Sequence, residues 1–222
     1  MDLTQWTGVP RPERRVLEGR YARLEPLDPE LHGEALFESA RASGAGGRFR
    51  YLPDDPPEDR ATFDVWLARA AASPDPLFFA VVDRATSRAE GRQTLMRIDP
   101  ANGVVEIGNI LWGPAIARTR VATEALFLFA DYALQTLGNR RFEWKCNNAN
   151  EPSKRAAERF GFTFEGVFRQ HMVVKGQNRD TAWYSILDRE WSELKPAYEE
   201  WLDPENFDED GRQRSRLGGA PA

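Results

Sequence analysis

The chain has 222 residues, 30 basic and 35 acidic side chains and a formal charge of −5. Its apolar fraction of 41%, with 7 Trp, 13 Phe and 5 Tyr, can bury a sizeable single core and excludes global disorder. The acidic balance excludes a nucleic-acid binder that works by bulk charge. Cys146 is the one cysteine, so an internal disulfide framework is excluded. His32 and His171 stand far apart, and no metal site is expected from so few soft ligands. The N-terminal residues MDLTQWTGVPRPERR contain no apolar run of the secretory kind. The most apolar stretch, 121–134, is interrupted by Glu124 and Asp131, too polar to span a bilayer. The expectation is a cytoplasmic protein without membrane contact. Lysine occurs only at 145, 154, 175 and 195, and the arginine bias with abundant alanine suggests a GC-rich bacterial source.

Residues 1–18, polar and carrying Pro10 and Pro12, are expected to form an extended arm. A single domain is expected over 19–202, followed by a flexible C-terminal tail at 203–222, which lacks periodicity. Tyr21, Leu24 and Leu27 mark a first strand. A helix follows over 30–42, with Leu31, Ala35, Leu36 and Ser39 on one side, then a flexible break at Ser43–Gly47. Phe63, Trp66, Leu67 and Ala70 show helical spacing within 58–72. Leu77–Val82 is an apolar strand. Thr94–Asp99 and Val104–Trp112 form a hairpin across Pro100-Ala101-Asn102-Gly103. Thr119 caps the longest helix, Arg120–Leu137, which Gly138 stops. Phe142, Trp144 and Cys146 alternate with polar residues in the next strand. Asn150 caps a helix over 151–160 that Gly161 closes. A second hairpin, Phe164–Val174 with Asp180–Leu187, precedes a final helix that contains Pro196. Trp191, Tyr198 and Trp201 near the C-terminus are expected to be exposed and to offer a partner surface. This order implies an α/β fold with a mixed sheet.

Three features bear on chemistry. Arg118 and Arg120 flank a helix start, where partial positive charge disfavours them unless an anion is bound there. With the backbone amides they would hold a phosphate; otherwise they are solvated or paired with acids such as Glu124. Glu106 lies between apolar neighbours on its strand, which suits either a general base of raised pKa or a structural ion pair. Gly108 in the same strand marks a possible bulge, and a bulge frees a backbone amide for a developing oxyanion.

The sequence resembles the GNAT superfamily of N-acetyltransferases over about residues 19–192, in the branch that acetylates ribosomal-protein N-terminal alanines. The resemblance rests on Asn150-x-x-Ser153 followed by Glu158-Arg159-Phe160-Gly161-Phe162, on Ala122-Thr123-Glu124-Ala125 after the fourth strand, on the hairpin segment GQNRD with Asp180, and on the element order. It implies a mixed, mostly antiparallel central sheet flanked by helices, with a V-shaped split between the fourth and fifth strands. It also implies acetyl-CoA as co-substrate and no metal. The pantetheine would run beside Asn109, Ile110 and Leu111. The pyrophosphate would sit on the loop and helix start that include Arg118, Thr119, Arg120, Val121, Ala122 and Thr123, and Asn150 would bond the pantetheine arm. The family loop, Gln/Arg-x-x-Gly-x-Gly/Ala, reads Ala117-Arg118-Thr119-Arg120-Val121-Ala122 here, with arginines inside it. A tyrosine that many members carry seven residues after the asparagine is Ala157 here.

The mechanism implied is direct attack of an amine on the thioester in a ternary complex. Glu106 would take the amine proton through water, and Ser153 would protonate the thiolate. Cys146 reads as packing, and His171 as structural or as part of the acceptor pocket. An α-amine, with a pKa near ~8 against ~10.4 for lysine, needs only a modest base, which favours a protein or peptide N-terminus. Alternatives are acetylation or succinylation of a small amine, amino acid or antibiotic, and a non-catalytic acyl-CoA-binding or interaction protein. No direct nucleic-acid partner is expected, and a monomer and a homodimer both stay open. Acceptor choice is assigned to the loops at 43–58 and 175–180.

Overall fold

The structure is a computed structural model and describes residues 2–218. One eight-stranded sheet runs through it. Its strands are β1 (Leu17–Glu18), β2 (Ala22–Pro26), β3 (Leu77–Asp83), β4 (Arg88–Asp99), β5 (Val104–Trp112), β6 (Arg141–Asn147), β7 (Thr163–Val174) and β8 (Gln177–Leu187). Their spatial order is β1-β2-β3-β4-β5-β6-β8-β7. Every neighbouring pair is antiparallel except β5 with β6, which are parallel. The expected GNAT-like mixed sheet is thus present.

The helices are α1 (Pro29–Arg41), α2 (Ala45–Phe49), α3 (Arg60–Ala72), α4 (Arg120–Ala130), α5 (Glu151–Arg159) and α6 (Asp188–Trp201). Alternation along β3 shows how they divide. Phe78, Ala80 and Val82 pack with Leu36 of α1 and with Phe63 and Leu67 of α3. Leu77, Phe79 and Val81 join the larger core with α4, α5 and α6. A strand covered on both faces reads as an unbroken apolar run, as β3 does. Among the described residues no helix is long and apolar enough to cross a membrane.

Several expectations change. Leu31 is 72% exposed, because α1 turns His32, Leu36 and Ser39 inward instead. Its N-cap Asp28 donates its backbone N–H to His32 Nδ1 at 3.0 Å, and His32 Nε2 reaches Glu25 at 2.9 Å. The break at 43–47 is largely helical, since α2 buries Phe49, and Arg48 binds carbonyls at the end of α1, among them that of Ala42 at 2.9 Å. Helix α4 is α-helical only to Ala130 and continues as wider π turns from Asp131 to Thr136. The wider turn buries the consecutive Tyr132, Ala133 and Leu134, which a 3.6-residue period would spread around the helix.

Trp191, Tyr198 and Trp201 are not exposed; all three are buried against Phe127 and Phe207. They offer no partner surface. The segment after α6 also differs from the expected flexible tail. Phe207 is buried edge-on to Trp201 at 5.1 Å, and the Trp201 indole donates to Gln213 at 3.2 Å and to the Ser215 carbonyl at 3.1 Å. The segment packs back on the body as far as Leu217, and 219–222 lie outside the described residues. At the other end, Trp6 Nε1 donates to Ala101 O at 2.6 Å, and the Glu13 amide donates to the Tyr132 hydroxyl at 2.9 Å, so the arm lies along the body.

Candidate active site

The site forms where the parallel pair ends. Strands β5 and β6 pair only from Val104 with Arg141 to Ile107 with Trp144. Beyond that the two strands no longer pair with each other and open the split. At the same level β5 bulges: Thr94 of β4 opposes Gly108 and Arg92 opposes Leu111, so Asn109 and Ile110 stand together against Gln93. Asn109 takes φ +48, and it, not Gly108, is the distorted residue. Gly108 has a different reason to be glycine, because a Cβ there would overlap the Met96 sulfur. The Thr94 hydroxyl donates to the Gly108 carbonyl at 2.9 Å and pins the bulge. A bulge removes a residue from the ladder and leaves backbone polar groups for a ligand.

A cavity of about 220 Å³ fills the split, lined by Glu106, Asn109, Ile110, Cys146, Asn150 and Ser153 among others. Glu106 is buried within it and opposes Glu143 across the parallel pair. Lys145, two residues further along β6 and therefore on the same face, reaches Glu106 at 2.9 Å and Glu143 at 2.6 Å. Arg97 of β4 approaches the same Glu106 oxygen at 3.1 Å. Burial pushes the Glu106 carboxyl up; Lys145 and Arg97 oppose that push and the neighbouring Glu143 adds to it. Lys145 also lies 3.8 Å from the Trp183 ring centre. Glu106 is thus ion-paired and lodged in the cleft at once, with burial the first influence on its carboxyl.

Ser153 approaches from the other face of β6. Its Oγ accepts from Trp144 Nε1 at 3.0 Å. An indole only donates, so the serine hydroxyl keeps its own hydrogen, which is directed toward the neighbouring Cys146 sulfur. Asn150 caps α5 and accepts from the Ser153 amide at 3.3 Å, which leaves its NH2 donors for a ligand. Cys146 is buried and its thiol is pushed up by burial, which suits packing and not a thiolate. His171 is bonded to Thr181 Oγ1 at 2.9 Å, and partial burial together with Arg97, Arg179 and Lys145 pushes its pKa down.

The start of α4 borders a second cavity of about 600 Å³, lined by Arg118, Thr119, Arg120, Ala122 and Thr123 together with Arg159 and Arg212. Arg118 holds φ +65, a conformation costly for a residue with a Cβ. The Arg120 guanidinium lies over Tyr21 at 4.4 Å and Phe207 at 5.1 Å. Among the described residues Arg118, Arg120 and Arg159 have no carboxylate partner, while exposed Arg212 pairs with Asp210 at 3.3 Å. Glu124 does not serve them. It is buried and accepts from the backbone amides of Arg20, Tyr21 and Ala22 at 2.8, 2.6 and 2.6 Å. This excess of donors at a helix N-terminus fits a pyrophosphate.

Two sequence-named residues point elsewhere. The Val121 side chain turns into the main core. Leu111 lines a separate apolar cavity of about 290 Å³ under α1 and α3, where Arg92 is ion-paired with Asp54 and stacked over Trp66 at 4.3 Å. The loops assigned to acceptor choice do meet over the split. Tyr51 donates to Ala149 O at 3.0 Å, and Lys175 Nζ reaches Phe49 O at 3.1 Å and Asp55 at 2.6 Å. Sequence reasoning missed Lys145, Arg97, Arg179, Trp144, Arg159 and Arg212. The strand alternation did place Lys145 beside Glu143, but its reach to Glu106 depends on a parallel register that spacing does not reveal.

The sequence profile described as the acetyltransferase (GNAT) domain matches residues 22–163. A solved structure of a GCN5-related N-acetyltransferase from Brucella melitensis is similar at 60% identity over 97% of each chain, with a TM-score of 0.95. An N-acetyltransferase p20 of Bacillus licheniformis, described as uncharacterized, is 30% identical over 118 residues, 51% of this chain and 64% of its own length. A Bacillus subtilis protein, YdaF, named as a candidate ribosomal N-acetyltransferase, is 32% identical over 101 residues, 46% of this chain and 55% of its own. The chain thus spans less than two thirds of the length of these curated relatives.

Proposed function

Because this chain belongs to the GNAT acetyltransferase family, we propose that it moves an acetyl group from acetyl-CoA to a primary amine, the α-amine of a protein or peptide N-terminus. The observation that carries the reading is that Glu106 of β5 and Ser153 of α5, on opposite faces of the sheet, line one cavity together with the bulge. A binding protein without catalysis has no need of a buried carboxylate and a hydroxyl donor on two sides of one point.

The start of α4 with Arg118, Arg120 and Arg159 would hold the phosphates, and Asn150 the pantetheine. Bound there, acetyl-CoA supplies an electrophilic thioester carbon and a thiolate leaving group. The amine forms the new bond to that carbon as the bond to sulfur breaks. Glu106 receives the amine proton through water, and a carboxyl pushed above its ordinary range matches a weakly basic amine better than a normal one. The backbone at Asn109 and Ile110 faces the charge that develops on the acyl oxygen. Ser153 relays a proton to the departing sulfur, giving its hydroxyl hydrogen and taking a replacement from solvent water, while Trp144 holds the oxygen in place.

An α-amine as acceptor is supported by the modest base and by the partial likeness to the Bacillus subtilis protein. A cytoplasmic enzyme that needs no metal is part of the same reading. Calorimetric titration with acetyl-CoA is the first test, followed by acetylation of Ala- and Ser-initiated peptides read by mass. No binding of acetyl-CoA by the intact protein refutes the reading.

A further inference from the structure

The hairpin segment Gln177-Asn178-Arg179-Asp180 belongs to the resemblance, yet the mechanism uses none of it. Asp180 is structural, accepting from the Gln170 amide at 2.7 Å and from Asn178 at 2.9 Å. Arg179 differs. Its side chain lines the same cavity as Glu106 and Ser153. Among the described residues it makes no hydrogen bond and no ion pair, and its Nε is buried without a partner. The other cations of the cavity are engaged. Lys145 is shared by Glu106 and Glu143, Arg97 is on Glu106, and Arg48 is tied to carbonyls of α1.

An arginine taken half out of water without an anion costs stability, and a bound anion repays that cost. Burial lowers the affinity of Arg179 for its proton, and Glu106 is the opposing charge that it senses first. Arg179 stands on β8 beside the turn at Lys175-Gly176, where the two loops close over the split, and not on the strands that line the cofactor.

Resting on the acetyltransferase reading, we propose that Arg179 receives a carboxylate of the substrate, so that the preferred acceptor carries an anionic group a few bonds from its amine. A planar guanidinium takes a carboxylate through two parallel hydrogen bonds and fixes its orientation as well as its charge. The same carboxylate could arrive on the acyl chain of a dicarboxylic acyl-CoA. The place of Arg179 on the acceptor side favours the acceptor.

The test compares two C-terminally amidated peptides that differ only in an aspartate or asparagine after an N-terminal alanine, with acetyl-CoA and succinyl-CoA as donors. With acetyl-CoA the intact enzyme is expected to prefer the aspartate peptide by about tenfold or more in kcat/KM, the size expected for hydrogen bonds to a charged group. In Arg179→Met that ratio collapses toward one, and in Arg179→Lys part of it returns. If the succinyl-to-acetyl ratio collapses instead, the carboxylate belongs to the donor, and Arg179 still reads it. Ratios unchanged in Arg179→Met, or no preference in the intact enzyme on either arm, overturn the proposal. Calorimetry with acetyl-CoA on the same preparations reads the cofactor site by itself. A failure of the family reading shows there, and a failure of the Arg179 proposal shows in the ratios.

Discussion

Replacing Ser153 by alanine should produce two separable effects. The first is structural. Trp144 is 5% exposed and its indole nitrogen bonds Ser153 Oγ at 3.0 Å. Removing the acceptor leaves a buried donor unpaired, which costs about 1–3 kcal/mol. For a chain of this size that lowers Tm by roughly 2–4 °C per kcal/mol. The second effect is chemical. A general acid contributes about 10²–10⁴-fold, and a thiolate, whose conjugate acid has a pKa near ~8.5, needs less help than an amine would. The expected loss in kcat is therefore about 10²-fold, at the low end of that range. The loss should shrink as pH rises past the thiol range, while the affinity for acetyl-CoA stays close to that of the intact enzyme. The double variant Trp144→Phe/Ser153→Ala removes the orphaned donor, so part of the Tm should return while kcat should not. Thermal scans and the initial rate of thiol release at saturating peptide measure the two effects. A double variant that regains activity along with stability would show that Ser153 only supports Trp144, and the assignment of an acid would fall.

Three further outcomes follow from the same geometry. Arg118→Ala with Arg120→Ala should weaken acetyl-CoA by about tenfold or more per arginine, the size of a lost charge-assisted bond, with a smaller salt dependence of Kd in titrations at two ionic strengths. Glu106→Gln should abolish the proton-accepting limb. In the intact enzyme kcat/KM should rise with pH through a value above the ordinary 4.5, because the active form is the ionised one and burial raises its pKa. That limb should move up in Lys145→Met and down in Glu143→Gln; shifts in the same direction would refute the electrostatic account. Glu124→Ala leaves three backbone amides without their acceptor, each bond to a charged group being worth about 1.5–3 kcal/mol, so the chain should lose its cooperative melting transition by circular dichroism.

The elements were legible where local chemistry decides them. Thr119 and Asn150 act as caps through their side-chain oxygens, and Gly138 and Gly161 take the positive φ that ends a helix. Positions set by tertiary contacts were not legible. Leu31 belongs to a helical pattern by hydropathy, but the bond of Asp28 to His32 sets the rotation of α1 and leaves Leu31 outside. Trp191, Tyr198 and Trp201 belong to a largely polar helix and precede a polar segment, so nothing local says that Phe127 packs on the first two or that Phe207 returns to cover Trp201. At the site, Glu106 could be read as an apolar-flanked carboxylate, yet its charge environment comes from β4, β6 and β8 at once. Gly108 drew attention to the right strand, but the bulge falls one residue on, at Asn109, where the β4 register places it.

One topological fact ties these parts together. A parallel pair needs a crossover, and here the crossover from β5 to β6 is α4 with its π turns. The end of β5 therefore feeds, after a short loop, the N-terminus of α4, which puts the phosphate donors at the open end of the split without further design. The four paired residues hold Glu106 beside Glu143 and Lys145 on one face, and where pairing stops, Trp144 on the other face is free to reach Ser153 of α5. For the proposed base and acid, a place on the same face would leave one reactant no room. In the proposed mechanism the diverging ends of β5 and β6 would let a thioester pass between the strands, with the amine deprotonated on one side of the sheet and the sulfur protonated on the other.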